Sequence, residues 1–371
     1  MKVLFVSGGA FNDSGAYAQR LSMIQEGLKR SGIDTSILHT GDYLFTTPHL
    51  IRILNTPFYF KLTRGYDVIH AAGTTGTICM GLIRTFHNYK VVFDVHGNGI
   101  EEARLLRKNA LDIKGNYTMF QSMILGPIAT NIADYFITAS DALKQVYVNK
   151  GIDEQRIEVI RNGVDTELFR PAESPVENET FTVTYAGSFP KYQGIENLVH
   201  AAKLLRDENI KFKMIGFRPN DLGLKQEIKR ILKNRVELID VVPRRILVHH
   251  LNESDVLIIP RYCPANEKSW DRLRNTFGWL PTKFSEYTAT GRPVIVTILD
   301  ETSDLVEKHD CGFVCDPTPE AIAKTILKAK ETPFQTLQEK GINSRRLAEV
   351  EFDVSVIGRR YYRFLTRILE A

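Results

Sequence analysis

Residues Phe181 to Leu205, FTVTYAGSFPKYQGIENLVHAAKLL, decide the fold. FTVTYAG is a short β-rich run that stops at Gly187, and from about Ile195 to Arg206 the apolar residues recur at helical spacing. The unit repeats downstream. FKMIG (Phe212 to Gly216) precedes a charged helical segment from about Gly223 to Asn234, and further strands are expected at Val236–Leu238, Val256–Ile259, Pro293–Thr297 and Gly312–Cys315. Short apolar strands alternating with helices predict a parallel sheet covered on both faces.

The same alternation occupies the first half, with strand-like runs at Val3–Ser7, Thr35–Leu38, Asp67–His70, Lys90–Val95 and Tyr135–Thr138. Between the halves, Arg170-Pro171-Ala172-Glu173-Ser174-Pro175 puts two prolines in a polar stretch, which reads as a linker. The expected division is 1–172 for the first doubly wound domain, 173–180 for the linker, 181–353 for the second domain and 354–371 for a terminal helix. Two such halves predict a cleft between them, and ligands of open α/β sheets sit beyond the carboxyl ends of the strands.

Composition sets outer limits. A chain of 371 residues with 43% hydrophobic and 25% charged residues is ordinary folded protein with about two domains' worth of length. The net charge of +4 does not argue for a nucleic-acid partner. Cys79, Cys263, Cys311 and Cys315 form neither a CxxC pair nor paired zinc spacings and are expected to be reduced. The start of the chain has too short an apolar run for a signal core, and no stretch approaches a membrane span, so a cytoplasmic protein is expected. No His/Asp/Glu cluster has metal-ligand spacing, and no metal or cofactor is expected.

Two strand-end loops of the first half carry polar chemistry. Gly8-Gly9-Ala10-Phe11-Asn12-Asp13-Ser14-Gly15 lies between strand and helix, where backbone amides can hold an anion; read blandly, it is a tight turn. It is not GxGxxG, and no acid ends the second strand, so a dinucleotide site is poorly supported. VVFDVHGNG (Val91 to Gly99) ends a strand with Asp94 and His96, two apart and therefore on one face. A histidine there either donates to a sugar or charged group or simply packs.

NGVDTELFRP (Asn162 to Pro171), ADYFITASDAL (Ala133 to Leu143), YAGSFPKYQGIENLVHAAKLL (Tyr185 to Leu205) and PTKFSEYTATGRPVI (Pro281 to Ile295) together resemble the retaining glycosyltransferases of family four. The likeness runs in order over nearly the whole chain and rests on no single motif. It implies the GT-B fold, two Rossmann-like domains facing across a cleft, and transfer of a sugar from a UDP or GDP donor to a glycan or lipid-linked hydroxyl without an essential metal. Matched residue by residue, Glu286 is the family's distal glutamate, whose two oxygens suit the ribose hydroxyls. Gly15, with Gly9 and Ser14 beside it, matches the loop near the diphosphate, and His96 matches the histidine at the donor sugar. Gly187 ends the first strand of the second domain, and Phe284 and Ser285 belong to the run before Glu286.

Departures from the pattern matter. The glutamate eight positions before the distal one is Gly278, the usual arginine is Ser188, and the usual lysine is Gln193. Negative charge grows on the departing diphosphate, so cations there lower the barrier most. Lys283, one helical turn before Glu286, is the expected replacement, followed by Lys191 and then Arg261, Arg272 and Arg274. With the three departures in view, a binding protein that has lost turnover is the alternative to an enzyme. A sugar-nucleotide epimerase of the same fold fits less well. Between Asp42 and Asp67 there is no acidic residue, while Arg52, Lys61 and Arg64 sit among apolar residues, as they also do at Arg104-Leu105-Leu106-Arg107-Lys108. These stretches suit either the surface of an anionic membrane or an ordinary covering helix with solvated cations.

Overall fold

The computed structural model describes all residues except 8–15, 40–55, 96, 98–111, 174–178 and 262–279. The described residues fall into two compact units, one containing Met1–Gly163 and Val354–Ala371, the other running from Val164 to Asp353.

The first unit is a parallel sheet in the order β2-β1-β3-β4-β5-β6. Its strands are β1 (Lys2–Ser7), β2 (Asp34–His39), β3 (Val68–Ala72), β4 (Lys90–Val95), β5 (Tyr135–Thr138) and β6 (Ile157–Val159). Its first helices are α1 (Ala16–Arg30), α2 (Thr74–Ile83), α3 (Ile113–Ile132) and α4 (Asp141–Val148). Strand periodicity sorts the core into two layers. Val3, Phe5, Val68, Val92 and Ile137 face α1 and the terminal segment. Leu4, Val6, Ile69, Val91, Phe93 and Phe136 face a turn at Thr56–Tyr59, α2, α3 and α4.

The second unit orders its sheet β12-β11-β10-β7-β8-β9, also parallel throughout. Here the strands are β7 (Phe181–Ala186), β8 (Ile210–Phe217), β9 (Val236–Asp240), β10 (Val256–Ile259), β11 (Val294–Thr297) and β12 (Gly312–Cys315). The helices are α5 (Ile195–Leu204), α6 (Leu222–Leu232), α7 (Arg244–Asn252), α8 (Thr282–Ala289), α9 (Thr302–His309), α10 (Pro319–Glu331) and α11 (Phe334–Leu347). The chain winds outward from β7 to β9, then crosses back to β10 on the other side, so β7 and β10 flank a topological switch point. Ligands of this architecture sit there.

All eleven expected strands form, and the structure adds β6. Its three residues, Ile-Glu-Val, are too few to show a period. The units divide between Gly163 and Val164, nine residues before the expected end of the first domain at 172. Val164 donates its N–H to the Phe352 carbonyl at 2.8 Å, Phe169 is buried in the second core, and Arg345 donates to the Thr166 and Phe169 carbonyls. Those contacts make Val164 to Pro171 part of the second unit. The chain then returns to the first unit as α12 (Val354–Glu370), which packs on α1. The helices meet at Gly27 and Gly358, where a Cβ on Gly358 would lie 2.0 Å from the Gly27 carbonyl oxygen.

A charged cluster is sealed in this layer. Arg20 of α1 donates from Nη2 to Asp94 Oδ1 at 2.9 Å and from Nη1 to the Ile160 carbonyl at 2.6 Å and Asn162 Oδ1 at 3.1 Å. His70 Nε2 is 3.2 Å from Asp94 Oδ2, and its Nδ1 is 2.9 Å from the Tyr361 hydroxyl of α12. Burial, then the nearby carboxylate, pushes the Tyr361 phenol well above its ordinary range, so it stays a donor. Arg20, Asp94, His70 and Tyr361 are all at most 1% exposed, so the cluster joins α1, β3, β4, the end of β6 and α12 without water. Arg20→Met would leave the Asp94 carboxylate buried without its cation. A loss of about 3–5 kcal/mol is expected in urea unfolding followed on the first unit; an unchanged midpoint would show that the cluster does not hold this unit together.

Candidate active site at the switch point of the second unit

The described site is built on the carboxyl ends of β7 and β10. After β7 the chain passes Gly187 and Ser188 and makes a turn at Lys191–Gln193 before α5. Gly194, at φ 74°, permits the closest approach: a Cβ there would lie 2.5 Å from the carbonyl oxygen of Pro260, just beyond β10. From the far side α8 delivers Lys283. Its amine donates to the Tyr185 hydroxyl at 2.8 Å and to Gln193 Oε1 at 2.9 Å, and lies 4.1 Å from the centre of the Tyr185 ring. The Tyr185 hydroxyl donates onward to the Ser188 carbonyl. Gly187 leaves room for this, since a Cβ there would be 2.6 Å from Lys283 Nζ.

Lys283 is 8% exposed, and both of its hydrogen-bond acceptors among the described residues are neutral. Burial first, and then the nearby Arg261 guanidinium, holds its amine well below the ordinary range, with Glu286 and Asp300 pulling weakly the other way. Since the folded chain disfavours the extra proton, this group favours unfolding at low pH; its contribution to stability rises as pH climbs from the lowered value toward the ordinary ammonium range. Arg261 is also buried and donates from Nε to Asp300 Oδ2 at 3.0 Å, while Asp300 Oδ1 accepts from the Thr302 amide and hydroxyl at the start of α9. Helix α8 is latched to β7 by Tyr287, whose hydroxyl donates to the Ala186 carbonyl at 2.9 Å and accepts from the Ala186 amide at 2.6 Å.

Glu286, one turn along α8, lies with Oε1 2.9 Å from Arg244 Nη2, a charge contact without the alignment of a hydrogen bond. The Arg244 guanidinium rests over the Phe169 ring at 4.8 Å. Two cations, Lys283 and Arg261, and two carboxylates, Glu286 and Asp300, thus gather at the switch point, with Gly187 and the Ser188 backbone between them. Such a place suits an anion that can draw on the buried amine. Among the described residues no three His, Cys, Asp or Glu side chains are grouped closely enough to hold a metal ion.

The structure brings together Gly187, Ser188, Gln193, Arg261, Lys283 and Glu286. Lys191 is exposed on the turn. Three further expected residues lie in packed surroundings. Phe284 packs in the core edge-on to Phe352, at 5.8 Å between centroids, because it sits on the inward side of α8. Ser285 is buried and donates back to the Thr282 carbonyl at 2.8 Å, an ordinary intrahelical bond. Asp94 is buried against Arg20 and His70 at the end of β4. Gly9, Ser14, Gly15, His96, Arg272 and Arg274 lie outside the described residues, as do Gly278 and Cys263.

Sequence reading missed Tyr185, Tyr287, Arg244 and Asp300. Asp300-Glu301-Thr302 carried a readable signal, an acid ahead of a helix start. Nothing local marked Arg244, whose role arises from Phe169 and Glu286, far away in sequence.

A family model described as glycosyl transferases group 1 matches residues 167–346, and one described as Glycosyltransferase Family 4 matches residues 20–168. UDP-Gal:alpha-D-GlcNAc-diphosphoundecaprenol alpha-1,3-galactosyltransferase of Escherichia coli is 25% identical over 267 residues, which are 68% of this chain and 62% of that protein. The chain therefore spans less than two thirds of that relative's length. Among solved structures, sucrose-phosphate synthase from Thermosynechococcus elongatus is similar with a TM-score of 0.79 at 17% identity, covering 100% of this chain and 99% of that one. Anabaena HepE in complex with UDP and glucose is similar with a TM-score of 0.72 at 17% identity, covering 99% of each chain. The two family models meet within a few residues of the point where the described chain divides, and each takes one doubly wound unit: the chain belongs to the glycosyl transferases of group 1 and has the GT-B fold.

Proposed function

We propose that this protein transfers a hexosyl group, with retained configuration, from a nucleotide-diphosphate sugar to a hydroxyl of a glycan or lipid-linked acceptor. It would work in the cytoplasm, peripheral to the inner face of the membrane when the acceptor is lipid-linked. The observation that carries this reading is the buried Lys283 amine, held at the switch point by Tyr185 and Gln193 with Arg261 beside it. A uridine donor is favoured over a guanosine one, because the E. coli relative is named for UDP-Gal and the Anabaena structure contains UDP.

In the proposed reaction the bond from the anomeric carbon to the diphosphate oxygen breaks, and its electron pair leaves with the nucleotide. The acceptor oxygen forms the new bond on the same face, and its proton passes to the departing phosphate. The protein's part is electrostatic. A diphosphate beside Lys283 restores the charge that burial opposes, and that charge stabilises the anion most as the leaving group separates. Glu286 takes the ribose hydroxyls, exchanging part of its contact with Arg244 for them. His96 and the Gly9–Gly15 loop are assigned to the donor sugar and diphosphate by resemblance. Ser188 and Gln193 carry no charge, but Lys283 and Arg261 supply two cations at the same strand ends, which weakens the case for a binding protein without turnover.

Two substitutions test this reading. Lys283→Met should cut turnover by about 2–4 kcal/mol in barrier terms while leaving stability unchanged or raised, since a desolvated amine is replaced by an apolar chain of similar length. A normal rate with UDP- and GDP-sugars would reject the role. Glu286→Ala should weaken nucleotide affinity by about 1–3 kcal/mol in calorimetry, and an unchanged affinity would remove Glu286 from the ribose.

A further inference from the structure

Helix α3 presents apolar residues where a surface helix should be polar. Among its described side chains the exposed ones are Phe120, Met123, Ile124, Pro127, Ile128 and Asn131, spaced i, i+3, i+4, i+7, i+8, i+11, and of these only the last is polar. Phe120 is 58% exposed and Met123 54%. On its other side Leu125 and Ala129 are buried in the core, so the outward stripe is surplus to folding.

The stripe does not stand alone. Helix α2 packs beside α3, with Gly81 directly against Ile132, and also packs on the turn at Thr56–Tyr59. All three elements therefore cover the same face of the first sheet. After that turn and at the end of α2, large apolar residues are again exposed: Phe60, Leu62, Leu82 and Phe86, the last 72% exposed and in edge contact with Phe60 at 5.6 Å. Charge within these segments is one-sided, with Arg84 paired to Asp134 just beyond the end of α3. Segments 56–66, 74–88 and 113–132 contain Lys61, Arg64, Arg84 and Lys114 but no Asp or Glu, in a chain with 44 acidic residues. Lys61 and Arg64 are exposed beside Phe60 and Leu62.

We infer that this helical layer of the first unit is a docking surface for an anionic lipid bilayer, with the α3 stripe and the Phe60–Phe86 pair entering the apolar boundary and Lys61 and Arg64 at the headgroups. Apolar side chains projecting from these helices, with Lys61 and Arg64 exposed beside them and the Asp134 carboxylate already paired with Arg84, match a deformable apolar phase under a negative surface. A protein partner would instead call for a polar rim of both signs. No helix among the described residues is long and apolar enough to cross a membrane, so the contact is interfacial. The inference does not rest on the donor chemistry or on Lys283.

Flotation of the full chain with phosphatidylglycerol/phosphatidylcholine vesicles, and with phosphatidylcholine alone, tests it. Binding is expected to the anionic vesicles, to weaken with salt, and to be much lower on the neutral ones. The triple variant Phe86→Ser, Phe120→Ser, Ile124→Ser should lower bound protein at least about tenfold; it replaces exposed side chains, and an unchanged melting curve confirms intact folding. Phe86→Ser alone gives a smaller drop, and Ile342→Ser, exposed on the second unit, gives none. Wild type that stays with the unbound protein, or a triple variant that binds as well as wild type, overturns the proposal. So does a concentration-dependent dimer that the same substitutions disperse, since the surface would then join two copies of the chain.

Discussion

A lysine amine taken out of water and given, among the described residues, only neutral acceptors is the constraint around which the second unit is arranged. Holding Lys283 there requires a phenol and an amide oxygen at fixed positions, 2.8 and 2.9 Å from the nitrogen. It also requires a residue without a side chain at Gly187. Those demands fix how β7 ends, how the Lys191–Gln193 turn closes, and how α8 docks through Tyr287. Burial of a charge without a carboxylate partner destabilises a fold, and such placements persist where a ligand supplies the counter-charge. A diphosphate is the ligand proposed to do so.

The first unit also buries a cation, and the contrast is instructive. Arg20 has a carboxylate in bidentate reach, a backbone carbonyl and an amide oxygen, so its charge is matched inside the protein. That arrangement needs no ligand and works as a fastener, tying α12 through Tyr361 and His70 to the strand whose end leads to His96. Asp94, two residues before a proposed donor contact, thus fixes the end of that strand. Alternation along a strand placed Asp94 and His96 on one face; it could not say that α1 would bring an arginine down onto the first of them.

What the amino-acid order revealed and what it hid divide along physical lines. Apolar periodicity is a property of one segment at a time, and eleven strands with their helices followed from it. Resemblance of four segments pointed to the fold family and to Lys283 and Glu286. Pairings between distant segments were hidden. Pro171 and Pro175 mark a break in local periodicity, whereas the division at Val164 is set by Phe352, Arg345 and Asp353 closing on the chain from residues nearly two hundred positions later. Phe284 and Ser285 looked like parts of a binding motif because they adjoin Glu286, but a helix turns its consecutive residues to different sides. Arg244 and Asp300 became visible only once the partners of Glu286 and Arg261 were in place.

The proton count of nucleotide binding tests the role of the buried amine most directly. Calorimetry of UDP binding in buffers of different ionisation enthalpy, at several pH values below the ordinary ammonium range, reads the protons taken up when the ligand enters. With the amine depressed in the free protein and restored by diphosphate, protons should be taken up on binding between the lowered value and the ordinary ammonium range, affinity should fall as pH rises through that window, and Lys283→Met should abolish both effects. Tight UDP binding with no buffer dependence at any of these values, in wild type and variant alike, would contradict it.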